Sequence, residues 1–210
     1  MKDYTDITLL IDRSGSMSNC RANMENGLQE YLTGQRAIPE TRVSIFQFDS
    51  QSVDNTHRDV PIDAVGKISI IPRGGTPLYD ALYQVIQDTG KRLRNMPEQD
   101  RPKRVLFIVI TDGHENCSRT INSKSLAQLI ANQTNKYNWE FIYLGANQDA
   151  ILSAAQFGLA ATQAMTYGVA EAGILNTFKT LGARTTAYST KTVANVGHFT
   201  DAERKAAIEE

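Results

Sequence analysis

The run VLFIVI, residues 105 to 110, is apolar at six consecutive positions. A strand that must bury both faces belongs at the centre of a parallel sheet covered by helices on each side. Three further short runs are rich in β-branched and aromatic residues: ITLLI (7 to 11), VSIFQF (43 to 48) and WEFIYL (139 to 144). Between them lie helical patterns. Met24, Leu28, Tyr31 and Leu32 share one face, as do Leu78, Leu82, Val85, Ile86 and Leu93, and Leu126, Leu129 and Ile130 begin another. Beyond residue 145, DAILSAAQF reads as a helix, ATQAMTY as a weaker strand, and Ile174, Leu175, Phe178 and Leu181 mark a last long helix.

Strand and helix alternating in this way define an α/β, doubly wound, mostly parallel six-stranded sheet with helices on both faces. One hairpin interrupts the pattern. In VSIFQFDSQSVDNTHRDVPI the second extended segment, about 56 to 62, follows too closely for a crossover, so it is expected to pair antiparallel at an edge. The ending HFTDAERKAAIEE carries a capping box, Thr200 to Glu203, and predicts a short, mostly solvated helix. The expected division is one domain over 1–190 and a tail over 191–210.

Charge narrows the function. Lys+Arg 22 against Asp+Glu 23 gives a net charge of -1, which offers no electrostatic case for nucleic acid or an anionic membrane. The first apolar run is too short for a signal segment or a span, so a cytoplasmic location is expected. Cys20 and Cys117, with three scattered histidines, make neither a disulfide framework nor a zinc site.

The unusual residues fall in three segments expected at one rim, where strands of an open α/β sheet end and ligands bind. The first is Asp12-Arg13-Ser14-Gly15-Ser16; the second is RGGTPLYDAL, with Thr76; the third is Thr111-Asp112-Gly113. Singly, each has a plain structural explanation: Ser16 as a helix cap, Thr76 as an N-cap before Pro77, Asp112-Gly113 as a turn. Together they gather two carboxylates and three hydroxyls with no thiolate or imidazole, a donor set suited to Mg²⁺ or Mn²⁺.

DRSGS, GGTPLYDAL and VLFIVITDG, in that order, resemble the von Willebrand factor A-type (integrin I-like) domains and their metal-ion-dependent adhesion site, over roughly residues 5 to 185. The chain is most similar in plan to stand-alone bacterial or bacteriophage members. The resemblance implies that Asp12, Ser14, Ser16, Thr76 and Asp112 hold the metal, leaving a position for an Asp or Glu of a protein partner. Gly75, Asp80, Gly113 and His114 lie in or beside these loops and are expected to support the donors or touch that partner. Asp80 reads equally as a charge favoured near a helix N-terminus. His114 and Glu115 read as solvated loop residues, and Asp49 as a hairpin-turn residue. The resemblance also brings Cys20 and Cys117 into neighbouring loops, where two independent thiols are expected in a reducing cytoplasm.

Three functions fit these residues: a non-enzymatic, metal-dependent adaptor; a metal-assisted hydrolase with His114 or Glu115 moving the proton; and a self-assembling subunit whose Glu209-Glu210 tail reaches a neighbour's metal. The adaptor is favoured. There is no second carboxylate cluster, no P-loop and no GxGxxG fingerprint, and DRS lacks the second Asp of aspartyl-phosphate phosphatases.

Overall fold

A computed structural model describes residues 1–146 and 149–209. Its elements are β1 (Lys2–Asp12), a 3-10 turn (Gly15–Asn19), α1 (Arg21–Gln35), β2 (Arg42–Phe48), β3 (Val53–Pro61), α2 (Leu78–Asn95), β4 (Pro102–Thr111), α3 (Ser123–Tyr137), β5 (Trp139–Ala146), α4 (Ala150–Ala155), β6 (Ala164–Tyr167), α5 (Glu171–Ser189) and α6 (Asp201–Ala207). They build one sheet of order β3-β2-β1-β4-β5-β6. All pairings are parallel except β2 with β3. The expected doubly wound sheet with its antiparallel edge strand is therefore present.

β4 shows why six apolar residues are needed in succession. Leu106, Ile108 and Ile110 pack into a core closed by α1 and α5, while Val105, Phe107 and Val109 pack into a second core under α2, α3 and α4. Each side chain of that size, taken fully out of water, contributes about 1.5–3 kcal/mol. β1 begins five residues before the apolar run that announces it. Its leading half carries Asp6, which is 1% exposed and is tolerated because Arg92 of α2 donates to it at 2.7 Å.

Close approach of α1 and α5 depends on Gly27. A methyl group at this position would lie 2.4 Å from Phe178 Cδ2 and 3.0 Å from Ile174 Cγ2, so the helices must move apart to admit it. Gly27→Ala is expected to lower stability by about 1–3 kcal/mol, the usual cost of overpacking, despite alanine's better helix propensity. A urea melt that leaves the midpoint unchanged counts against this packing.

Thr200 and Glu203 form the capping box. The helix it starts is exposed or half-buried along its length except at Ala207, and it is anchored at several points: Val196 and Phe199 just before it are buried, Arg204 donates to the carbonyls of Ala164 (2.6 Å) and Ala161 (2.7 Å), and Gly168 N–H donates to Ala207 (2.8 Å). α6 is thus fastened to β6 and α5. Among the described residues no helix is long and apolar enough to cross a membrane.

Candidate functional site

Asp12 is the last residue of β1 and is fully buried. Its Oδ1 accepts the Ser14 N–H at 2.6 Å, and its Oδ2 accepts the Thr111 hydroxyl, at the end of β4, at 2.6 Å. Ser14 is extended and Ser16 follows it inside the 3-10 turn, which brings the two side chains to the same side. Their hydroxyls lie 3.0 Å apart, and Ser16 donates to Asp112 Oδ1 at 2.7 Å.

The segment carrying Thr76 comes into place through backbone contacts with both neighbours. Gly15 N–H donates to Gly74, Arg73 N–H to Arg13, and Asn116 N–H to Thr76, while Thr76 N–H donates to Asn116 Oδ1 at 2.9 Å. Gly75 lies between: a methyl group there would be 3.0 Å from Asn116 Oδ1 and 3.1 Å from Cys117 Sγ. Gly74 has φ +65°, a conformation glycine adopts without strain.

Gly113 locates the focus of the site. A methyl group on it would lie 3.3 Å from Thr76 Oγ1, 3.5 Å from Ser16 Oγ and 4.0 Å from Asp12 Oδ2. Oxygen atoms from the first loop and from Thr76 therefore face one point beside the third loop, where Gly113 carries no side chain. The five candidate donors Asp12, Ser14, Ser16, Thr76 and Asp112 fall in one cluster.

Electrostatically the site has an excess of negative charge. Burial pushes the Asp12 carboxyl up to about 6, against hydrogen bonds from Thr111 and Ser14, and nearby Asp112 adds to the rise. Burial also raises Asp112, against the hydrogen bond from Ser16. Among the described residues no basic side chain pairs with either. Arg13, although adjacent in sequence, turns away to Asp49 (2.6 Å) and Asp54 (2.6 Å). Nor do the described residues hold a cluster of three or more His, Cys, Asp or Glu able to bind a metal. Two carboxylates completed by hydroxyls suit a hard divalent cation, whose charge would offset theirs.

Several residues have roles other than those expected. Ser16 lies inside the 3-10 turn and does not cap α1, whose N-cap is Cys20; α2 starts at Leu78 with Pro77 as its N-cap, so Thr76 is not a cap and its hydroxyl is left for the site. Asp80 does lie in the first turn of α2, the helix-terminus reading, and has no hydrogen bond to the five candidate donors: its carboxylate accepts the N–H groups of Arg119, Thr120 and Ile121 and shapes the chain beyond the third loop. His114 is exposed. Glu115 is not solvated, since it accepts from the Tyr79, Cys117 and Ser118 N–H groups and from the Ser118 hydroxyl. Asp49 does close the hairpin turn, accepting from Gln51 N–H at 2.6 Å and Ser52 N–H at 3.2 Å. It also accepts from both Arg13 and Arg73. Cys20 and Cys117 are free thiols, and burial raises Cys20 to about 11. Glu209 is exposed; Glu210 lies outside the described residues.

The sequence reading assigns no role to the Thr111 hydroxyl or to Asn116, and does not pair Arg13 with Asp49. Thr111 had a signal, a hydroxyl at the end of an otherwise apolar strand; Asn116 had none.

Fold and site together define an open α/β domain with an oxygen-lined site at the C-terminal rim of its parallel strands. The family model for the von Willebrand factor type A domain matches residues 6–180, and the chain belongs to that family. A comparison with curated proteins returns no match. Among solved structures, proximal thread matrix protein 1 from the mussel byssus is similar at 17% identity and TM-score 0.61, over 84% of this chain and 46% of that one. The SpRpn10 VWA domain is similar at 14% identity and TM-score 0.55, over 82% of this chain and 94% of that one. A further structure of the mussel protein, described as having a zinc-occupied MIDAS motif, is similar at 16% identity and TM-score 0.54, over 80% and 42%. This chain thus spans less than half of the mussel protein.

Proposed function

We propose that the domain is a non-enzymatic, cytoplasmic adaptor that engages an acidic side chain of a protein partner through Mg²⁺ or Mn²⁺ held by Asp12, Ser14, Ser16, Thr76 and Asp112. The observation that carries this reading is the open point beside Gly113, ringed by hydroxyl and carboxylate oxygens and lacking a basic side chain. When bound, the divalent ion supplies a Lewis-acidic position that a carboxylate can fill. The chain's own residues orient the donors: Thr111 and the Ser14 amide hold the Asp12 carboxylate, Ser16 steadies Asp112, and Asn116 fixes Thr76. A partner that covers the rim and excludes water strengthens the attraction between its carboxylate and the ion. Its acidic residue then becomes a binding hot spot.

The hydrolase alternative loses support from Glu115, whose carboxylate is taken up by four hydrogen bonds and is not a free base. The experiment is a calorimetric titration of the full chain with Mn²⁺, repeated with Asp12→Ala. The substitution is expected to weaken binding by at least about 100-fold, the upper end of what losing even an outer-sphere partner costs. An unchanged isotherm removes the proposal's basis.

A further inference from the structure

We propose a second docking surface at the opposite pole of the sheet, a groove between α2 and α3 that receives an acidic protein segment bearing an aromatic or large aliphatic anchor. The groove has a volume of about 380 Å³ and its lining includes residues at the starts of β4 and β5, away from the rim that carries Asp12. Leu93, Val105 and Trp139 form an apolar floor, each almost wholly buried. Tyr137, 52% exposed, stands at its side.

Two observations specify the occupant. The first is charge. Lys91, Arg94 and Arg101 line the groove with no Asp or Glu among them. Among the described residues, Lys91 and Arg94 have no ion-pair partner, and Arg101 donates to the Met96 and Arg94 carbonyls. Asp88 and Asp100, nearby in sequence, pair with Arg58 and Lys2. The second is Gly90, inside α2, where glycine is destabilising by roughly 0.5–1 kcal/mol relative to alanine. No close contact excludes a side chain: the nearest atom to an added methyl group is Trp139 Cη2, at 3.9 Å. Glycine leaves the Cη2 edge of Trp139, though not its ring faces, uncovered by any side chain of α2. Cationic walls over an apolar floor complement an acidic segment with one bulky side chain. Single-stranded nucleic acid fits less well, because stacking needs exposed ring faces and Trp139 is 4% exposed.

Trp139 is the single tryptophan of the chain, so its emission reports occupancy directly. The full chain, in EDTA so that the rim site plays no part, is titrated with a synthetic peptide of alternating Glu and Phe, and in parallel with oligothymidylate. A saturable change in Trp139 emission with the peptide is expected, weakened by at least about tenfold in Gly90→Leu and in the double charge reversal Lys91→Glu, Arg94→Glu. Gly90→Leu improves helix propensity, so a loss of binding in it does not stem from unfolding. No saturable change up to about 1 mM, equal binding by the variants, or tighter binding of oligothymidylate overturns the proposal.

Discussion

Gly113→Val is expected to abolish Mg²⁺ and Mn²⁺ binding while leaving the domain folded. The first added carbon alone would lie 3.3 Å from Thr76 Oγ1 and 3.5 Å from Ser16 Oγ, and the branched methyls of valine extend farther into the same space. The side chain thus occupies the position proposed for the ion without deleting a donor. This separates the substitution from Asp12→Ala, which removes a charge as well. The backbone should accept valine, since Gly113 is not among the residues with positive φ. The expected loss of Mn²⁺ affinity is at least about 100-fold by titration, with a thermal midpoint near that of the parent. Retained Mn²⁺ binding in a folded Gly113→Val protein places any ion somewhere other than between these oxygens.

Asp49→Ala is expected to be the most destabilising single change near the rim. Asp49, 2% exposed, accepts from Arg13 of the first loop at 2.6 Å and from Arg73, in the segment leading to Thr76, at 2.8 Å, and it also closes the β2–β3 turn. One carboxylate therefore joins two of the donor loops to the hairpin. Its removal leaves Arg13, which is 8% exposed, with only Ser52 and Asp54. Breaking a buried pair in this way costs about 3 kcal/mol or more. Asp49→Asn keeps the acceptor for the turn and should recover part of the loss. Urea denaturation of the three proteins measures the order; an Asp49→Ala midpoint equal to the parent's refutes the clamp.

Acid should act in the same direction. Burial works to raise the Asp49 carboxyl, but hydrogen bonds from Arg73, the Gln51 amide and Arg13 prevail and hold it below the ordinary 3.8. A folded pKa lower than the unfolded one means that the stabilisation is complete at neutral pH. It fades as pH falls through 3.8 toward the folded value.

What could be read from the sequence follows from which interactions repeat. β4 and α2 obey periods that any core imposes, so VLFIVI and the Leu78 to Leu93 face identify themselves. The first half of β1 does not, because Thr5 and Asp6 break the apolar pattern and are buried where Arg104 and Arg92 reach them from far along the chain. The donors were legible for another reason: alternate residues of a short loop share a side, and a Thr-Asp-Gly run ends a buried strand. Their supports were not. Asn116 and Glu115 act through backbone amides of a segment about 40 residues away, a contact that only folding creates. The capping assignments for Ser16 and Thr76 failed because both residues fit a cap locally, while each helix starts two or more residues later.

The fastening of α6 has a consequence for solubility. An open sheet exposes a column of unsatisfied peptide groups on each flank, ready to recruit another chain and grow into a fibre. On the β3 side the ladder is irregular and Asp54, Arg58 and Asp59 supply charge, so a flat foreign strand finds poor register. On the β6 side the strand is short, and Arg204 holds the Ala164 carbonyl while the Gly168 amide is taken by Ala207. The last helix thus acts as a built-in guard against polymerisation, sealing with one guanidinium the flank that charge does not protect.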